Sequence, residues 1–162
     1  MVTRKSPRLK GYDYQEPGAY FVTICVTPRR NLFWKTPTIT SNNSDPKKCL
    51  NENGNIVAAC LEQLFAHRKG IYLVNFVIMP DHVHFLLKLD GDVNGISISN
   101  LVGEFKRQAS LRLRKWMSGG KIWQRSFFDR IIRNDQEYQR IYDYIEANPV
   151  NWEEDQESPD FP

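Results

Sequence analysis

The periodicity of this chain predicts an α+β domain of the ferredoxin-like kind, a split β-α-β fold with an antiparallel sheet, followed by one further helix. Three observations carry that reading. Apolar segments follow one another as strand, helix, strand, strand, helix, strand, which is the order of the split fold, and a last amphipathic helix comes after them. The two middle strands are separated by little more than Pro80-Asp81, turn chemistry that joins antiparallel neighbours. A chain of 162 residues with 41% hydrophobic content can fill one well-buried core and is short for two.

The first strand is expected over about residues 18 to 27. A helix at about 53 to 69 follows, with Val57, Cys60, Leu61 and Leu64 on one face and Asn53-Gly54 as the turn before it. Strands at about 71 to 79 and 82 to 89 flank the Pro80-Asp81 turn. In the second helix, about 97 to 117, Ile98, Leu101, Val102, Phe105, Ala109, Leu113 and Trp116 keep helical spacing. A strand at about 121 to 132 leads to the last helix, about 134 to 147, which has a capping residue at Asn134 or Asp135, early carboxylates and a stop at Pro149. Its core-facing stripe is Tyr138, Ile141, Tyr142 and Ile145. Tyr144 falls about 120° off that stripe at about 100° per residue, with Asn148 one turn above it.

The most informative segment is Val77-Ile78-Met79-Pro80-Asp81-His82-Val83-His84-Phe85-Leu86-Leu87. Side chains alternate along a strand, so His82 and His84 share one face while Val83, Phe85, Leu87 and Leu89 point into a core. Two imidazoles so placed form a bidentate clamp for a cation, the bland alternative being a strand with two solvated histidines. If both helices of the split unit pack on one face, the histidine face needs another cover, and the last helix, carrying Tyr144, is the evident candidate. His67, at the end of the first helix, reads as a helix-end cation.

Taken together, Gly18-Ala19-Tyr20-Phe21-Val22-Thr23-Ile24, Met79-Pro80-Asp81-His82-Val83-His84, Phe105-Lys106, the run from Ile122-Trp123-Gln124-Arg125 through Arg133, and Tyr144-Ile145-Glu146-Ala147-Asn148-Pro149-Val150 resemble the REP-associated tyrosine transposases. These belong to the single-tyrosine HUH transposases, named for a histidine-hydrophobic-histidine motif, and the resemblance covers about residues 8 to 152. It implies an HUH endonuclease type of fold in which a strand-borne histidine pair holds a divalent cation, Mg²⁺ or Mn²⁺, and a helix-borne tyrosine attacks a DNA phosphate. By position the metal ligands are His82, His84 and Asn148, and the nucleophile is Tyr144. The implied activity is cleavage and strand transfer of single-stranded DNA through a 5′-phosphotyrosine, near hairpins with a single-stranded flank. The alternatives are a non-catalytic hairpin-binding module and a metal-dependent hydrolase of a small phosphoester.

Charge distribution agrees with a DNA partner. The net charge is only +3, but residues 101 to 140 carry ten Lys/Arg against four Asp/Glu, and residues 141 to 162 carry none against seven. Candidate DNA-binding residues are Arg4, Lys5, Arg8 and Lys10 in an N-terminal arm, Lys106, Arg107 and Arg114 on the second helix, and Arg125. We expect one domain over residues 1 to 152 and a solubilising acidic tail over 153 to 162. Three cysteines without a C-x-x-C arrangement, no apolar leader and no run near the roughly 18 residues of a membrane span point to a soluble cytoplasmic protein. The almost absent linker between Arg133 and Asn134 favours a monomer whose tyrosine helix folds back on its own sheet, with a swapped dimer as the alternative.

Overall fold

The computed structural model describes residues 17–35, 49–91, 93, 95–115, 117 and 119–149. Among these residues seven elements follow in the expected order: β1 (Gly18–Cys25), α1 (Glu52–Phe65), β2 (Ile71–Ile78), β3 (His82–Leu89), α2 (Ile98–Leu113), β4 (Phe128–Ile132) and α3 (Asp135–Ala147). The sheet runs β2-β3-β1-β4, with every neighbouring pair antiparallel, which is the ferredoxin-like order. Among the described residues no helix is long and apolar enough to cross a membrane.

Each helix begins where a polar side chain can satisfy a free backbone amide. Asn51, Ser97 and Asn134 accept hydrogen bonds from Gly54, Asn100 and Glu137 respectively. The last cap lies at an expected position. The first corrects the reading of Asn53-Gly54 as a turn, because both residues lie inside the first turn of α1. Gly54 is needed there for close approach, since a Cβ on it would lie 2.4 Å from the carbonyl oxygen of Phe33. Asn51 ties the same loop down through its side-chain amide, which donates to the carbonyls of Leu32 and Trp34.

Alternation along β3 sorts the sheet into two faces. Phe85 meets Phe65 of α1 and Phe105 of α2, with ring centroids 6.3 and 6.2 Å apart, so both helices cover the face carrying Val83, Phe85, Leu87 and Leu89. On α2 the expected stripe is buried from Ile98 through Leu113, while Trp116 lies outside the described residues. α3 packs against β2 and β3 from the other side and is the cover the histidine face required.

Two expectations are corrected, for the last strand and the buried face of α3, and β2 carries an irregularity of its own. The last strand is confined to Phe128–Ile132, and upstream of it only Trp123 makes a bridge, to Val26, because Ile122 through Phe127 bend round the end of β1. β2 carries a bulge between Leu73 and Asn75, which reverses the alternation and turns Asn75 toward α3, where its amide donates to Glu146 at 2.8 Å. The buried face of α3 is Ile141, Ile145 and Asn148, with Tyr138, Tyr142 and Tyr144 all partly buried beside it. The helix is thus rolled toward Tyr144, which lies only about 60° from Ile141 at about 100° per residue.

Gly54→Ala should destabilise the fold by about 1–3 kcal/mol, since the new methyl group meets backbone oxygen rather than a side chain that can move away. Chemical denaturation checks this, and an unchanged midpoint would show that the 31–35 loop yields freely.

Candidate metal and nucleophile site

The turn before β3 is held from several directions. Met79 N donates to the His82 carbonyl, Leu32 N and Phe33 N donate to the Pro80 carbonyl, and Val26 N donates to the Asp81 carbonyl. Position and tilt of β3 are therefore fixed where the histidines begin. His82 and His84 are both 0% exposed, where a solvated surface pair would be open.

Each imidazole has a distinct partner on its Nδ1 side. His82 Nδ1 lies 2.7 Å from Asp81 Oδ1, and His84 Nδ1 lies 2.8 Å from Thr23 Oγ1, the residue opposite it on β1. The two Nε2 atoms face each other at 3.0 Å. Arg29 Nε donates to the second oxygen of Asp81 at 2.6 Å, and its terminal nitrogen donates to Cys25 Sγ at 2.8 Å. Burial alone would raise the Asp81 carboxyl, but the hydrogen bond with His82 and the Arg29 guanidinium beside it outweigh burial and hold it below the usual carboxylate range.

Tyr144 reaches this pair from α3. Its ring meets His84 at 5.5 Å between centroids and Phe21 at 6.1 Å, and Phe21 is stacked on His84 at 5.2 Å. Asn148, one turn later, is 2% exposed, and neither its amide oxygen nor its nitrogen has a hydrogen-bond partner among the described residues. An orphaned buried amide costs about 1–3 kcal/mol and so calls for an explanation. Among the described residues no group of three or more His, Cys, Asp or Glu is disposed to hold a metal ion. The convergent donors are two imidazoles, with a buried amide on the covering helix.

The expected DNA-binding residues are scattered. Arg4, Lys5, Arg8 and Lys10 lie outside the described residues. Arg107 and Arg114 are exposed on α2, across the sheet from the histidines. Arg125 is exposed beside the site end of the sheet, because its neighbour Gln124 donates from its backbone N to the carbonyl of Cys25, the residue opposite His82. Lys106 departs from the expectation of a phosphate contact. Its ammonium donates to the carbonyls of Gln124, Arg125 and Ser126 at 2.8, 3.3 and 3.2 Å, so its geometry staples the loop that carries Arg125. Sequence reasoning passed over Thr23, Arg29 and Asp81, the partners of the imidazoles. Only Asp81 left a signal, by adjoining His82.

The transposase IS200-like family model matches residues 20–148, from β1 to the amide after α3, and the chain belongs to that family. A Haemophilus influenzae protein of unassigned function is 31% identical over 94% of this chain and 92% of its own length. Another protein of that bacterium, provisionally named a REP-associated tyrosine transposase, is 29% identical over 85% of this chain and 73% of its own. The structure of a REP-associated tyrosine transposase bound to a REP hairpin superposes with a TM-score of 0.60 at 20% identity, covering 93% of this chain and 86% of that one. A Deinococcus radiodurans protein provisionally described as a transposase superposes at 0.52, also 20% identical, over 86% and 95%. Of these proteins, one similar in sequence and one similar in fold carry the name REP-associated tyrosine transposase.

The loop staple has a measurable consequence. Burial pulls the Lys106 ammonium down to about 8, with Cys25 opposing and Lys121 adding to the drop. In the unfolded chain the value is about 10.4, so between about pH 8 and 10.4 the unfolded state binds more protons and folding stability gains as pH rises. The stability difference between the native protein and Lys106→Met should therefore shift in favour of the native protein across that window in denaturant titrations. A difference independent of pH would mean the lysine stays charged throughout.

Proposed function

We propose that this protein cleaves and rejoins single-stranded DNA beside a hairpin, with Tyr144 as nucleophile. The observation that carries the reading is the placement of the Tyr144 ring against His84, in a buried pair whose two Nε2 atoms point at each other. His82, His84 and the Asn148 amide oxygen would hold a divalent cation, Mg²⁺ or Mn²⁺, and the donor chemistry fits. Two neutral imidazoles leave coordination positions open, and a cation partner would explain the orphaned amide. When bound, such a cation supplies positive charge for the phosphate oxygens as they gain charge.

The chain's own groups do the rest. The Tyr144 phenol gives up its proton, and its oxygen attacks phosphorus. A phosphotyrosine bond forms as the bond to the 3′ oxygen breaks, and that oxygen takes up a proton to leave a free 3′ hydroxyl, so the step is neutral in protons. Since one phosphodiester replaces another, attack by a second 3′ hydroxyl reverses the step and joins a new strand. α3 and Phe21 flank His84 and keep bulk water from the imidazoles, which strengthens every charge interaction there. The recognised DNA is proposed to be a hairpin with a single-stranded flank, held by the basic side chains, so affinity should fall steeply with salt.

Tyr144→Phe should abolish a denaturant-resistant protein-DNA adduct while hairpin affinity stays within a few fold, because only the nucleophilic oxygen is lost. An adduct persisting in that variant would move the nucleophile elsewhere, with Tyr142 the next suspect. His82→Ala and His84→Ala should each eliminate cleavage, Asn148→Ala should be milder, and a chelator should stop the native reaction. Cleavage that is indifferent to the chelator would sink the metal reading.

The site is also proposed to be complete within one chain, since α3 covers its own β2 and β3. Mixing His82→Ala with Tyr144→Phe protein should then restore no cleavage. Recovery on mixing would establish an exchanged helix between two subunits.

A further inference from the structure

The two imidazoles are not held alike. An ionised carboxylate only accepts hydrogen bonds, so Asp81, ion-paired with Arg29, requires the His82 proton to sit on Nδ1 and leaves its Nε2 as a bare lone pair. His84 faces a hydroxyl instead, and Thr23 can donate or accept by rotating about its Cβ–Oγ bond. The Nε2 atoms are 3.0 Å apart, a hydrogen-bond separation that two facing lone pairs would not keep. With His82 Nε2 bare, the proton between the rings belongs to His84, whose Nε2–H donates to His82 while the Thr23 hydroxyl donates to His84 Nδ1.

We infer that the pair consists of one locked and one adaptable imidazole: Asp81, oriented by Arg29, holds His82 permanently as the Nδ1–H tautomer, whereas Thr23 lets His84 exchange Nε2–H for Nδ1–H when a cation takes both lone pairs. The exchange balances. One proton leaves His84 Nε2 for water, one arrives from water at Nδ1, and the Thr23 hydroxyl turns from donor to acceptor, with no net proton released. Asp81, Arg29 and Thr23 are thus positioning residues, acting through the histidines. The exchange at His84 rests on the cation site proposed above, while the locking of His82 does not.

Nitrogen-resolved NMR of the imidazoles in the metal-free full chain, with both rings neutral, should show His82 as Nδ1–H and His84 as Nε2–H. A proton on His82 Nε2 would overturn the inference. Saturation with Mg²⁺, which is diamagnetic, should convert His84 to Nδ1–H and leave His82 unchanged. A bound state that keeps His84 as Nε2–H overturns the exchange, and no response from either ring overturns it together with the cation site, leaving the lock at His82 to be judged on the metal-free spectrum.

Variants separate orientation from simple support. In Asp81→Asn, Arg29 still needs an acceptor and takes the amide oxygen, turning the amide NH₂ toward His82 Nδ1 and forcing that ring to Nε2–H. Calorimetric Mn²⁺ affinity should then drop about 10–100-fold. Arg29→Ala alone should stay within a few fold. The double variant Arg29→Ala with Asp81→Asn frees the amide to turn its oxygen to His82, and should recover both the Nδ1–H signature and most of the lost affinity. A double variant no better than Asp81→Asn would refute the orienting role.

Discussion

Antiparallel pairing of β1 with β3 sets Thr23 opposite His84, Cys25 opposite His82 and Phe21 opposite Leu86, and everything at the site is built on that register. A slip of one residue would turn both imidazoles into the face packed by α1 and α2, where Phe85 now meets Phe65 and Phe105. The register is secured in two ways. Asp81 and Pro80 accept backbone bonds from the segment after β1, and the alternating apolar set of β3 fits only one side of the sheet.

Burial of the histidine pair follows from α3. Were the helix absent, His82 and His84 would lie on an open sheet face, in water that weakens any interaction with a charged ligand. With it, both are fully enclosed beside a tyrosine, and the polar atoms carried into the enclosure need partners. Asp81 and Thr23 provide them for the Nδ1 atoms, and the Nε2 atoms face each other. Asn148 is the exception, an amide on the same helix that has no partner among the described residues. Uncompensated polar groups of this kind cluster where a protein holds a ligand, because the ligand supplies the missing partner.

The helix is kept in place by contacts away from the chemistry. At its start, Glu137 accepts from the Arg133 backbone and pairs with Arg130 of β4, and near its end Glu146 accepts from Asn75 of β2. Between them Ile141 and Ile145 supply the apolar anchor. The tyrosine thus sits on a rigid element fastened to both edge strands of the sheet, the kind of support on which a reacting group keeps its geometry.

The sequence by itself determined the element order, the shared face of His82 and His84, the cap of α3 and the buried stripe of α2, because each depends on local periodicity or on a side chain reaching its own backbone nearby. It also placed Tyr144 and Asn148 one turn apart. Tertiary structure decided what local pattern cannot encode. The bulge in β2 reverses which residues face α3, and the roll of α3 follows from packing Ile141, Ile145 and Asn148 rather than from the hydrophobic average of its stripe. Lys106 is spent on three carbonyls of a distant loop, although its spacing on α2 reads as an exposed charge. Thr23, 61 positions from His84 in the chain, becomes its hydrogen-bond partner only through strand pairing, a long-range relation that no spacing rule in one sequence reveals.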